Sequence, residues 1–243
     1  MDFRPDETQQ AISRLAAEVV AGSDTPERLW KDLGHAGLLT LGAPEDAGGA
    51  GLGIFEITLV LTEIGRHAAT TPTLQISAGS VTLVPDHGVR LNGPYLREQH
   101  PFAIAAACAL ADGALAGALD LTAEHIRTRH QFGKPLATFQ AVAQQIADVY
   151  IASRTLHLAV LNACWRLGTG RPAEVDLAVA AQWLTAEAPP AIRTCHHLHG
   201  GLGLMIDYPL HRHTTMIRDM VRFLGGAEQT LTTLGERCVP RLH

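Results

Sequence analysis

The chain has 243 residues, 47% of them hydrophobic, 5% aromatic and 18% charged, with a formal net charge of −5. That apolar share supports a packed core and excludes a disordered chain. The negative balance, with no basic stripe, argues against a nucleic-acid partner. Cys108, Cys164, Cys195 and Cys238 form no C-x-x-C pair and read as small buried hydrophobes of a reducing compartment. The polar start, Met1-Asp2-Phe3-Arg4-Pro5-Asp6, lacks the apolar run of a secretory signal, so the expected location is cytoplasmic. Asp112 and Asp120 interrupt the apolar stretch 102–121, which favours a buried helix over a membrane span.

In chain order, Asp6 is predicted to cap a helix whose apolar face is Ile12, Leu15, Ala16 and Val19. Thr25-Pro26-Glu27 is a second start signal, for a helix carrying Leu29, Trp30 and Leu33 and closed by Gly34 and Gly37. Residues 38–53 hold Pro44, Gly48, Gly49, Gly51 and Gly53 and form a loop with several left-handed backbones. A longer helix is expected over 54–69. Between 80 and 101, the runs Val81–Val84 and Val89–Leu91 flank Pro85-Asp86-His87-Gly88, a pattern for one short hairpin. Helices follow over 102–129 and 141–167, the latter with Val142, Ile146, Val149, Leu156, Val160, Cys164 and Leu167 near helical spacing. Pro172 opens the next, carrying Val175, Val179, Trp183 and Ala186, which Pro189-Pro190 must kink or end. Two more are predicted over 208–223 and 227–238.

Two stretches carry chemistry. Arg129-His130-Gln131-Phe132-Gly133, with Phe139-Gln140 following, puts a guanidinium fork, which matches a diphosphate, at a helix end. The helix dipole alone also favours arginine there. His197-Leu198-His199-Gly200-Gly201-Leu202-Gly203 either permits close backbone approach of a ligand or serves as a glycine helix cap. The histidines at 196, 197, 199, 211 and 213 are the only such cluster, and the i, i+2 spacing diverges on a helix, so no metal site is expected. No Walker A loop, nucleophile elbow or Rossmann fingerprint occurs.

These motifs resemble the acyl-CoA dehydrogenase family. Arg-x-Gln-Phe-Gly with Phe-Gln, and the Gly-Gly-x-Gly turn, are similar to its signatures in order and spacing. So are Trp30, Gly37-Leu38, Pro44-Glu45, Gly48-Gly49, Gly51 and Glu63-Ile64-Gly65-Arg66. The resemblance implies FAD as cofactor and a cofactor-binding set of Arg129, Gln131, Phe132, Phe139, Gln140, His197, Gly200, Gly201 and Gln229. In the family, this surface serves the FAD of the neighbouring subunit. His197 stands where the family usually has glutamine. The family's catalytic base is a glutamate in Tyr-Glu-Gly-Thr; the matching residues here are Leu224-Gly225-Gly226-Ala227, and Gly225 cannot take a proton. The alternative base position, on the helix before Arg129, matches Ala103, and Glu228 is a weak substitute.

The expected fold is all-α: a C-terminal bundle (102–243), an N-terminal helical segment packed on it (1–79) and a connector (80–101) too short for the family's middle β domain. The expected function is that of an acyl-CoA dehydrogenase-like subunit working with a homologous subunit, or with a second copy of itself. It lends part of the FAD site, and the acyl-CoA binds through the partner. One alternative is a self-contained flavoenzyme using Glu228 or a base lent by a partner. The other is a non-catalytic interaction protein whose bundle serves assembly.

Overall fold

A computed structural model describes residues 6–69, 73–77, 80–84 and 101–238. The helices are α1 (Glu7–Gly22), α2 (Pro26–His35), α3 (Ile54–Arg66), α4 (Pro101–Thr128), α5 (Gln140–Gly168), α6 (Glu174–His199), α7 (Leu210–Phe223) and α8 (Gly226–Cys238). Among the described residues, two small antiparallel hairpins accompany them, β1 (Thr73–Ser77) with β2 (Ser80–Val84), and β3 (His130–Gln131) with β4 (Lys134–Pro135).

The helix starts follow from their caps. Asp6 accepts from the Gln9 N–H while Gln9 returns a bond to the Asp6 N–H, and Thr25 accepts from the Arg28 N–H ahead of Pro26. The buried face of α1 is Ile12, Ala16 and Val20, not the expected face that includes Leu15 and Val19; Leu15 is exposed. The loop after α2 uses left-handed backbone at Gly37, Gly48 and Gly51. At its end the Gly53 N–H bonds the Glu56 carboxylate, and α3 begins. It stops at Arg66, short of residue 69, where Ala68 takes a positive φ of 46°.

The helix α4 is the central post, packed by α3, α5, α6 and α7. Its most apolar window is 83% buried inside the protein, so its hydrophobicity is satisfied by neighbouring helices. Helix α3 reaches α4 through glycines: a Cβ on Gly113 would lie 1.9 Å from the Thr62 carbonyl oxygen, and one on Gly65 would lie 2.1 Å from that of Leu110. Asp112, buried in α4, accepts from His157 of α5 at 2.8 Å. On α6, Thr185 and Gln182 meet Thr230 of α8 at 2.7 Å each.

Two expectations change. Helix α6 runs through Pro189 and Pro190 to His199 and starts at Glu174, after Pro172. Each internal proline removes a ladder donor at a cost of about 3 kcal/mol, and packing against α4, α5 and α8 holds the helix together. Its buried line is Leu177, Ala180, Ala181, Leu184, Ala188, Ile192 and Cys195; Val175 and Val179 are 43% and 40% exposed. The connector hairpin pairs Val81–Val84 with the upstream strand β1, Thr73 opposite Val84 and Ser77 opposite Ser80. The expected partner run, Val89–Leu91, lies outside the described residues.

Candidate functional site

Helix α4 ends at Thr128, and the chain turns through the β3–β4 hairpin, whose register pairs His130 with Pro135 and Gln131 with Lys134. Its two-residue loop has φ of 52° at Phe132 and 80° at Gly133, positive at both central positions as a tight hairpin turn requires. Phenylalanine there is strained by about 1–2 kcal/mol, and its ring is 93% exposed, touching Phe139 edge-on at 6.2 Å. The Lys134 ammonium lies 4.4 Å over the Phe139 ring.

Beside this hairpin, α6 ends at His199. Gly200 then adopts φ 59°, ψ −139°, a conformation open essentially to glycine alone. The two helix ends enclose a cleft of about 640 Å³ lined by His125, Arg129, Gln131 and Leu136 on one side and His197 to Leu202 on the other. No carboxylate lines it. The Arg129 guanidinium and the Gln131 amide are exposed and have no hydrogen-bond or ion-pair partner among the described residues. Arg129 therefore does not use its side chain to cap α4. Cβ atoms added to Gly200 or Gly201 would meet nothing within 4 Å, so both glycines face open space.

A column of rings, centred on the buried His199, backs the cleft. His125 and His199 stack with ring centroids 4.5 Å apart and planes 19° apart. His199 Nδ1 lies 2.8 Å from the Cys195 carbonyl and Nε2 lies 2.9 Å from the Tyr208 hydroxyl. A carbonyl only accepts, so Nδ1 carries the proton and Tyr208 donates to Nε2. Burial pushes the His199 imidazole below its ordinary range, opposed by the hydrogen bond to Cys195. His125 sits one helical turn before Arg129, on the same face; that spacing was the available signal for a residue the motif reading passed over.

Five residues of the sequence-derived set, Arg129, Gln131, His197, Gly200 and Gly201, meet in this cleft. Phe132, Phe139 and Gln140 lie outside its lining, with the two rings packed on each other. Gln229 is elsewhere: its neighbour Thr230 touches Gln182 and Thr185 of α6, about 20 Å along that helix from His199 at 1.5 Å per residue. Gly225 and Gly226, with φ of 87° and 83°, form the α7–α8 turn, and Glu228 and Gln229 are exposed on the first turn of α8. Ala103 is buried.

Residues 102–238 match the family description "Acyl-CoA dehydrogenase, C-terminal domain", and residues 6–88 match "Acyl-CoA dehydrogenase, N-terminal domain". The chain belongs to the acyl-CoA dehydrogenase family. It is 34% identical to the acyl-CoA dehydrogenase FadE28 of Mycobacterium tuberculosis, an alignment over 340 positions that covers 98% of this chain and 99% of the relative. Against a chain of 243 residues, roughly a hundred positions are thus filled only in the relative, about the size of a sandwich domain. Between the two matched segments here stand only residues 89–101. The fold is similar to that in the ChsE4-ChsE5 complex from Mycobacterium tuberculosis (TM-score 0.82, 24% identity, 99% and 100% of the two chains covered). It is also similar to that of the Tcur3481-Tcur3483 steroid ACAD (TM-score 0.78, 23% identity, 95% and 97% covered).

FAD is the cofactor of this acyl-CoA dehydrogenase family, and the cleft fits part of it. Its volume lies in the range of small-molecule sites. An unpartnered guanidinium, a free amide and two glycines open to approach suit the diphosphate-bearing half of a dinucleotide.

Proposed function

We propose that this chain is one subunit of a two-chain acyl-CoA dehydrogenase and grips the diphosphate-bearing half of an FAD whose flavin ring is enclosed by a homologous, longer subunit. The chemistry FAD supplies when bound is two-electron oxidation of an acyl-CoA thioester between its α and β carbons. The observation that carries the reading is the pairing of Arg129 and Gln131, whose side chains have no partner among the described residues, with Gly200-Gly201 across one cleft with no carboxylate in its described lining. Arg129 would hold the diphosphate with paired, charge-assisted bonds, and the Gly200-Gly201 backbone would let it come close.

The other half of the active site has no counterpart here. Gly225 has no side chain to accept a proton and its N–H already donates to the Arg222 carbonyl, and Glu228 is a solvated first-turn carboxylate. The partner subunit would therefore supply the base and bind the thioester. The segment that follows the Gly200-Gly201 turn supports a protein cover: Leu204 is 82% exposed, Met205 55% and Ile206 77%. Three successive exposed apolar side chains favour association. Two of the similar folds come from structures of protein pairs, which is precedent by analogy.

The test is to purify the chain together with a full-length homologue encoded beside it and to follow flavin retention. Loss of one charged clamp costs about 1.5–3 kcal/mol, so Arg129→Ala in this chain is expected to weaken FAD retention by the pair at least tenfold. Retention unchanged by Arg129→Ala would overturn the reading in favour of a bundle that serves assembly alone.

A further inference from the structure

The stacked histidines behind Arg129 are not accounted for by FAD grip alone. His125 is half-buried, lines the cleft and lies on the same face of α4 as Arg129. Neither of its ring nitrogens has a hydrogen-bond partner among the described residues, whereas both nitrogens of its stacking partner His199 are engaged. One ring of the pair is therefore fixed as a neutral tautomer and the other is free to change its charge.

We propose that His125 is a binding residue of the cleft and takes up one proton from solvent as the diphosphate of FAD binds. This rests on the reading of the cleft as an FAD site. Empty, the cleft opposes a charge on His125. Burial first, and the Arg129 guanidinium second, push the imidazole below its ordinary range. A diphosphate seated at Arg129 reverses the second influence, because two negative charges then stand where one positive charge acted alone. The remaining surroundings accept an imidazolium. No carboxylate lines the cleft to have protonated it beforehand, and the last carbonyls of α4 and α6 turn negative helix ends toward it. The neutral His199 ring gives it an aromatic face at 4.5 Å.

The charged and titratable groups around His125 are few. Arg129 follows directly on its own helix, in whose last turns Glu124 and Arg127 pair with each other. His197 and His199 face the cleft from α6, and His196 and Tyr208 lie against His199 behind it. His196 is bonded to Thr214, and His199 cannot accept a proton without turning the Tyr208 hydroxyl away. His197 is exposed on the cleft and is the competing candidate.

The experiment is calorimetric titration of FAD into the flavin-free pair of this chain and its full-length homologue, with every substitution made in this chain, in two buffers of different ionisation heat, repeated from about pH 8 to about pH 6. The diphosphate diester of FAD does not itself titrate there. The wild type is expected to take up about one proton per FAD and to bind about tenfold tighter at the lower pH. His125→Phe, which keeps the ring stack, is expected to bind as the wild type does at high pH with no uptake and a flat profile; His197→Gln is expected to keep the slope. The His125 imidazole resonance should report the same proton directly in the unmodified protein. Binding that weakens in Arg129→Ala but keeps its proton uptake in His125→Phe overturns this proposal alone. No binding at any pH, or binding indifferent to Arg129→Ala, overturns the FAD reading with it.

Discussion

Gly113→Ala is expected to destabilise the protein, although alanine is the better helix former. The new Cβ would lie 1.9 Å from the Thr62 carbonyl oxygen and 2.7 Å from the Arg66 nitrogen, both backbone atoms of α3. Carbon–oxygen contacts settle near 3.3 Å, so α3 must retreat by more than about 1 Å. A gap of that size forfeits a quarter to a half of each dispersion contact along the seam. Overpacking costs about 1–3 kcal/mol, and the seam gives little, because Gly65 is as tight against Leu110 from the other side. Against this stands about 1 kcal/mol of helix propensity. With so rigid a seam the cost lies at the upper end of that range, and the net loss is about 2 kcal/mol, or roughly 4–8 °C in a melt monitored by circular dichroism. Gly235→Ala is the control: its Cβ meets nothing within 4 Å, so it should stabilise α8 by about 0.5–1 kcal/mol. A Gly113→Ala protein melting at or above the wild type refutes the close α3–α4 docking.

Three further expectations follow from buried groups. His157→Ala strands the Asp112 carboxylate, one oxygen of which already lacks a partner; urea unfolding should show a loss of about 3 kcal/mol, much of it recovered when Asp112→Leu and His157→Leu are combined. Burial lowers the His213 imidazole from 6.5 to about 4, so its contribution to stability is complete above pH 6.5 and is lost as pH falls toward 4. His213→Gln should remove up to about 1.4 kcal/mol per pH unit from the slope of urea stability in that window, leaving a remainder from His196 and His199, whose ranges are also lowered. Of the four free cysteines, Cys108, Cys164 and Cys195 are buried and their thiols are pushed up, Cys164 to about 12 and Cys195 to about 11. A thiol reagent should therefore titrate Cys238 alone in the native protein and all four in denaturant.

Much of the helical layout was readable from the sequence because its punctuation is local. Asp6 with Gln9, and Thr25 with Pro26, set helix starts by short-range hydrogen bonds that need no tertiary partner. The meeting of Arg129 with Gly200-Gly201 followed from the family's order of motifs and not from periodicity. Helix α6 misled because alanines dominate both faces, and small residues went inside where α4 approaches while Val175 and Val179 stayed out. The strand Thr73–Ser77 alternates as a strand should, but the hairpin was sought around Pro85-Gly88, a stronger turn signal than Ala78-Gly79. His125, His199 and Tyr208 come from three elements, and only the fold could stack them.

The division of labour between two chains is tested most directly by adding acyl-CoA anaerobically to this chain, first alone and then with its full-length homologue, and recording flavin bleaching. The account predicts bleaching only in the pair. Stoichiometric bleaching by this polypeptide alone would contradict it, because a chain with glycine at 225 and only residues 89–101 between its two matched domains would then be closing its own active site.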